Sequence, residues 1–201
     1  MLSSHKKMTI PIRVTTDFSC KSVDYTTLED DKLLILIGNN RDSSALGELY
    51  QRYTLSLGRF LQRGINETVL IEEIYNDVML TVWLKADSFR GESKVATWLF
   101  AIAYRIRISH SRKESRSKYV IDNEPAQEIT AEIFSPYAQT IQDAIVDLSE
   151  PHLAVIELYY FHGYNLSEIA TIVDCPKNTV KTRLFHARHR LKAIIEADQA
   201  R

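Results

Sequence analysis

The sequence predicts an all-α protein: two small helical domains joined by a flexible linker, the second containing a helix-turn-helix. Three observations predict it. From Thr27 onward apolar residues recur at intervals of three and four, the spacing that puts them on one face of a helix. Gly (6) and Pro (5) are scarce among 201 residues, too few turn formers for an all-β chain. The period lapses over residues 117–137, which hold Pro125, Pro136 and several acids, and then resumes.

The elements follow in order. Residues 1–27 lack helical periodicity and read as a mobile extension, with Ile10-Pro11-Ile12-Arg13-Val14 either a short strand or nothing ordered. Pro11 and Arg13 interrupt the apolar stretch after Lys6-Lys7, so it does not read as a signal peptide. No run of about 18 apolar residues follows, so a soluble, cytoplasmic protein without membrane insertion is expected. Thr27 and Asp30 frame a helix from Leu28 to about Gly38, with Leu33, Leu34 and Ile37 inward. Asp42 caps a second helix carrying Leu46, Leu49, Tyr50, Tyr53, Leu57, Phe60 and Leu61. Asn66 caps a third, with Val69, Leu70, Ile74, Val78, Val82 and Trp83. Ser88–Ser93, with Gly91, reads as a loop before a fourth helix that runs to about Arg116 over Val95, Trp98, Leu99, Ile102 and Ile106. These make a first unit, 28–116, and 117–137 is an acidic linker.

In the second unit, 138–197, Ile141, Ile145 and Leu148 mark one helix. Pro151 opens another, through Leu153, Val155, Ile156, Leu158 and Tyr159. Asn165 and Glu168 form a capping-box pattern before Ile169 and Ile172. Asp174-Cys175-Pro176 is a break, and Pro176 opens a last helix through Val180, Leu184, Ala187, Leu191 and Ile194.

Charge is unevenly placed. The formal net charge is −1, from 25 Lys+Arg against 26 Asp+Glu, which as a sum argues against a nucleic-acid partner. Resolved along the chain, residues 119–176 contain no Lys or Arg and ten acids, among them Glu150, Glu157, Glu168 and Asp174. Lys177, Lys181, Arg183, Arg188, Arg190 and Lys192 then follow with no acid between them, and His186 and His189 among them. A second basic cluster is Arg105, Arg107, Arg112, Lys113, Arg116 and Lys118. Taken alone, this second cluster reads equally well as a solvated helix face. The first coincides with a short helix, a tight break and a second helix, the arrangement that inserts its second helix into the major groove of DNA. Its leading turns present Lys177, Asn178, Thr179, Lys181, Thr182 and Arg183. Asn pairs with adenine, Arg or Lys with guanine, and a Thr methyl meets that of thymine. Arg188 and Arg190, further along, suit phosphates and a steep salt dependence.

The stretches Asp143–Ser149, Val155–Ala170 and Asn178–Lys192 resemble the promoter-binding C-terminal domain of extracytoplasmic-function (ECF) sigma factors. Ala45–Tyr53, Val78–Ala86 and Thr97–Tyr104 resemble that family's domain for core-polymerase binding and promoter melting. The resemblance covers about 28–196 in the right order. It implies an alternative sigma factor, not an enzyme, without cofactor or metal, whose partners are core RNA polymerase (clamp helices of the largest subunit, and the flap region) and promoter DNA. An anti-sigma partner is common in the family. By residue, it implies that Glu72, Glu73, Asn76 and Asp77 face polymerase. Phe89, Arg90, Lys94, Trp98, Tyr104, Arg105 and Arg112 lie along the stretch that captures the −10 element. The last helix, His186 included, reads the −35 element. The chain departs from the family pattern at Asn76-Asp77 (often Gln-Glu), Val95-Ala96 (often Phe-Lys), and Ala101 and Tyr104 (often basic).

Blander readings stand beside these. Trp83 and Trp98 sit on apolar stripes and read first as core. Phe89 serves equally well as a loop anchor or a base contact. His186 and His189, three apart, are poor metal ligands within a basic face, and Cys175 reads as a small buried hydrophobe. A hydrolase or metal enzyme finds no nucleophile elbow, no Gly-rich phosphate loop and no paired ligand motif in the sequence. A DNA-binding regulator that never joins polymerase would leave the 28–116 pattern without a purpose.

Overall fold

A computed structural model describes residues 23–62, 68–117 and 148–199. The expected Asn66 cap, nearly all of the linker and the helix through Ile141 and Ile145 lie outside those residues. The chain enters through a 3-10 turn, Tyr25–Thr27, where Asp24 accepts the Thr26 N–H. Helix α1 follows at Asp30–Asn40, with Leu33, Leu34 and Ile37 buried as their spacing requires. It does not stop near Gly38. It runs on to Asn40 and is closed by Arg41, whose φ of 51° lets its N–H turn back to the Ile37 carbonyl. Gly38 instead permits contact: a Cβ there would stand 2.9 Å from the Asp87 nitrogen, in the 3-10 turn Ala86–Ser88 packed against α1.

Helix α2, Ser43–Gln62, begins as predicted: Asp42 Oδ1 accepts from the N–H groups of Ser44 and Ala45. Arg52 ties α2 to the entering chain. It pairs with Asp30 and Glu48, each at 2.7 Å, and donates to the carbonyls of Tyr25, Thr26 and Leu28. Helices α3, Thr68–Lys85, and α4, Val95–Ser117, complete a four-helix unit around Leu49, Phe60, Ile74, Val78 and Leu99, each fully buried. Trp83 and Trp98 are half-buried and packed on this core, in keeping with their apolar stripes.

The second unit starts with α5, Glu150–Ile156, where Pro151 is the second helical residue rather than the first. The α-helix expected to continue through Tyr159 widens instead into a π turn, Glu157–Phe161, closed by the His162 N–H on the Glu157 carbonyl. One extra residue per turn changes which side chains face in: Glu157 and Leu158 are buried, while Tyr159, Tyr160 and Phe161 face out. Helix α6, Leu166–Ile172, carries the predicted capping box, with Asn165 Oδ1 accepting from Ser167 and Glu168 and Glu168 Oε2 accepting the Asn165 N–H at 3.0 Å. Val173–Pro176 makes the turn, with Asp174 in the left-handed region (φ 50°), and α7 runs Lys177–Gln199. The Pro176 carbonyl accepts the first two bonds of α7, from Thr179 and Val180, so Pro176 stands just outside the helix it was expected to open.

The two units touch, α4 against α6. Six consecutive α4 residues, Leu99–Tyr104, are all buried. A helix covered on every face needs neighbours on two sides; here they are the first unit and the second. Among the described residues no helix is long and apolar enough to cross a membrane.

Candidate nucleic-acid interface

Helix α7 buries Val180, Leu184 and Ala187 against α5 and α6, which turns the intervening residues outward. Lys177, Asn178, Lys181, Thr182, His186, Arg188 and Arg190 are exposed, and Thr179 is half-buried. Thr182 donates its hydroxyl to the Asn178 carbonyl at 3.0 Å, which leaves its methyl group free to face a partner. Arg183 departs from this surface. It is half-buried and turned toward the break, with Nη1 3.7 Å from Cys175 Sγ. Arg188 is held to its own helix by the Leu184 carbonyl. Among the described residues no group of three or more His, Cys, Asp or Glu is placed to hold a metal ion. The surface therefore offers a helix N-terminus, amide and hydroxyl groups and a row of cations, a set suited to base edges and phosphates.

The predicted −10 stretch is less uniform. Phe89 and Trp98 meet edge to face, ring centroids 5.6 Å apart, so Phe89 does anchor its loop. Arg90 is exposed, and Gly91 turns the loop at φ 71°. Lys94 is exposed but bonded to Glu168 at 2.9 Å, and Arg105 lies 3.9 Å from Asp174. Tyr104 is buried, which raises its hydroxyl pKa. The Arg112 side chain lies outside the described set.

Arg107, read from sequence as one member of a basic cluster, is fully buried. Its guanidinium lies 2.7 Å from Glu150 and 2.8 Å from the fully buried Glu157, donates to the Phe60 carbonyl and rests over the Phe60 ring at 4.0 Å. Of the ten acids in the Lys- and Arg-free stretch, Glu150, Glu157, Glu168 and Asp174 are within the described residues, and each meets a cation of the segment 94–107. Lys94 and the Asn165 N–H hold the Glu168 carboxyl below its ordinary value.

On α3, Glu72, Glu73 and Asn76 are exposed; Asp77, half-buried, lies 3.7 Å from His110 of α4. Leu80 and Leu84 continue this face one and two turns on, exposed at 55% and 58%. Sequence reasoning missed them, although they fall outside the Ile74–Val78–Val82 stripe. It also missed an apolar groove of about 600 Å³ between the π turn and the end of α7, lined by Ile156, Tyr160, Phe161, Leu191 and Ile195 and edged by Arg188, Lys192 and Glu196. A π turn leaves no mark in a 3.6-residue period, so nothing in the pattern announced that groove.

Comparison with known proteins bears on what these surfaces meet. The family model described as Sigma-70 region 2 matches residues 49–117, and that described as Sigma-70, region 4 matches 144–193. The chain is similar to the ECF RNA polymerase sigma factor RpoE of Cereibacter sphaeroides, 33% identical over 166 residues that span 80% of this chain and 91% of that protein. It is similar to the ECF RNA polymerase sigma factor SigW of Bacillus subtilis, 28% identical over 75% of this chain and 89% of the relative. Among solved structures, the sigma factor RpoE of Bartonella quintana, in complex with the anti-sigma factor NepR, aligns with a TM-score of 0.63 at 26% identity, over 75% of this chain and 98% of that one.

Proposed function

Because this chain belongs to the ECF family of RNA polymerase sigma factors, we propose which of its surfaces meets polymerase and which meets each promoter element. As a sigma factor it binds core RNA polymerase and directs promoter-specific initiation. Helix α7 enters the major groove of the −35 element. Asn178, Lys181 and Thr182 stand at base edges, with Lys177 and Thr179 beside them, and His186, Arg188 and Arg190 lie along the phosphates. The exposed face of α7 over residues 177–192, which hold no acid, carries this assignment. The loop Phe89–Ser93 and α4, with Arg90, Lys94, Trp98, Tyr104, Arg105 and Arg112, hold the melted −10 strand. The α3 face of Glu72, Glu73, Asn76 and Asp77, extended by Leu80 and Leu84, docks on the clamp helices.

The groove beside the π turn fits the flap region: apolar walls for an apolar helix face, with Arg188, Lys192 and Glu196 along its edge for polar contacts. The chain acts as an initiation factor in the cytoplasm and leaves catalysis to polymerase. An anti-sigma partner is part of the reading, since a relative has been solved bound to one. Co-purification tests the polymerase contacts. Wild-type chain should pass through gel filtration with purified core enzyme, and Glu73→Lys combined with Leu80→Ala should elute apart from it. Co-elution of that variant at wild-type yield would remove the α3 assignment.

A further inference from the structure

We propose that the grip of α7 on duplex DNA is linked to proton uptake: His186 and His189 become cationic where they meet phosphate, so binding tightens as the medium goes from about pH 8 to about pH 6. This rests on the −35 reading given above, which sets His186 along the phosphates and gives His189 no part. Three observations carry it. The first is placement. Asn178, Thr182, His186 and His189 follow at intervals of four, four and three, so both exposed imidazoles continue the row that starts at the base-reading turns. The second is a shared ring. Phe185, 60% exposed, stands with its centroid 5.5 Å from that of His186 and 6.3 Å from that of His189. It keeps the two imidazoles together on one side of the helix and adds no charge of its own. The third is where the acids go. The acids of the second unit whose side chains are described point elsewhere: Glu150 and Glu157 to Arg107, Glu168 to Lys94, Asp174 to Arg105, and Glu196 to Lys192. Among the described residues no ion pair reaches either imidazole. Phosphate is then the anion they can meet, and an opposite charge favours the charged form of a histidine.

The neighbouring elements leave this row to DNA. From α5, His152 faces Arg183, His186 and Arg190, with Nδ1 2.6 Å from the Ser149 hydroxyl. Burial first, and then those three α7 groups, hold the His152 pKa below its ordinary 6.5, so at neutral pH it adds no repulsion. The turn before α7 sets Cys175 beside Arg183, and the π turn sets Tyr160 across the groove from Arg188 and Lys192. Linkage gives the sign. Groups that hold more protons in the complex than in the free chain make affinity rise as pH falls, and the gain ends once they are protonated in both states. Two added cations also deepen the salt dependence, because each new phosphate contact releases counterions.

The test uses the full chain. The probes are the −35 duplex of a start site mapped with this chain's own holoenzyme and a scrambled duplex of the same composition, and binding is read by anisotropy. Measurements run from about pH 6 to about pH 8 at constant ionic strength and are repeated at several salt concentrations. One variant joins His186→Gln to His189→Gln and removes the titration. Another joins His186→Arg to His189→Arg and fixes the charge. His110, His152 and His162 stay in every variant, so their titration is common to all. Circular dichroism at each pH reports folding.

Wild-type chain should bind the −35 duplex about tenfold more tightly at the acid end than at the alkaline end. Its slope of log affinity against log salt should steepen there by about 0.9 for each imidazole that reaches a phosphate. The Gln pair should lose most of that gain. The Arg pair should bind at about pH 8 as tightly as wild type binds at about pH 6. Wild-type affinity that does not rise with acid, or a rise that the Gln pair keeps in full, would overturn the proposal. So would a wild-type chain that binds neither duplex at the acid end. The −35 reading fails separately: wild type would then bind both duplexes equally, and proton linkage would stand as a property of duplex binding by α7.

Discussion

Arg107 and Arg183 show how far one residue's role lies from its letter. Both sit in basic runs; the run-based reading places Arg183 on DNA and leaves Arg107 in a cluster that reads equally well as a solvated helix face. Arg107 is instead the centre of a buried ion cluster. Removing one partner of such a cluster costs about 3–5 kcal/mol when the remaining charge stays buried. Arg107→Ala should therefore lower the unfolding midpoint or release the units, and a melt monitored by scattering separates the two outcomes. Arg183, turned toward Cys175, must swing out to reach a base. If it does, Arg183→Ala relaxes −35 discrimination by about 1–3 kcal/mol; uniform weakening on all sequences makes it a phosphate contact. Asn178, already exposed, should show the same size of loss at a single base position. Glu168 adds a pH signature. Its folded pKa is lowered, first by Lys94 and then by the Asn165 N–H, so its contribution to stability is present above the ordinary value of 4.5 and is lost as pH falls through the lowered one. Lys94→Ala should move the Glu168 titration upward, read by NMR.

At the scale of elements, what the sequence disclosed depended on whether the cause was local. The Asp42 cap and the Asn165–Glu168 capping box are fixed within four residues and stand as their spacing required. Helix α1 ends at Asn40, two residues past the bound read from the sequence, and Gly38 lies within it. Its actual work, close approach to Asp87, involves a residue almost fifty positions away. Gly38→Ala should cost about 1–3 kcal/mol through that overlap, measurable by thermal melting. Asn165→Ala should cost about 1 kcal/mol and expose α6 to amide exchange before the rest of the second unit. The π turn was illegible for a different reason: it preserves the apolar composition and alters only the register, which sends Glu157 to Arg107 and Tyr160 to the groove.

For the whole molecule, the all-α architecture was readable from apolar spacing alone, because each helix must bury one stripe. The contact between the units was not, because it joins residues 43 to 74 positions apart through charges that look solvated one helix at a time. The ten acids between Tyr119 and Pro176 hinted at it. The four within the described residues answer Lys94, just before α4, and Arg105 and Arg107 on it. A net charge of −1 thus describes a chain whose opposite charges meet across its two units. Initiation itself is the decisive test. In vitro transcription with purified core polymerase over a genomic fragment library should yield a set of start sites that appear only when this chain is added and share −10 and −35 elements. The absence of any start site dependent on the chain would contradict it.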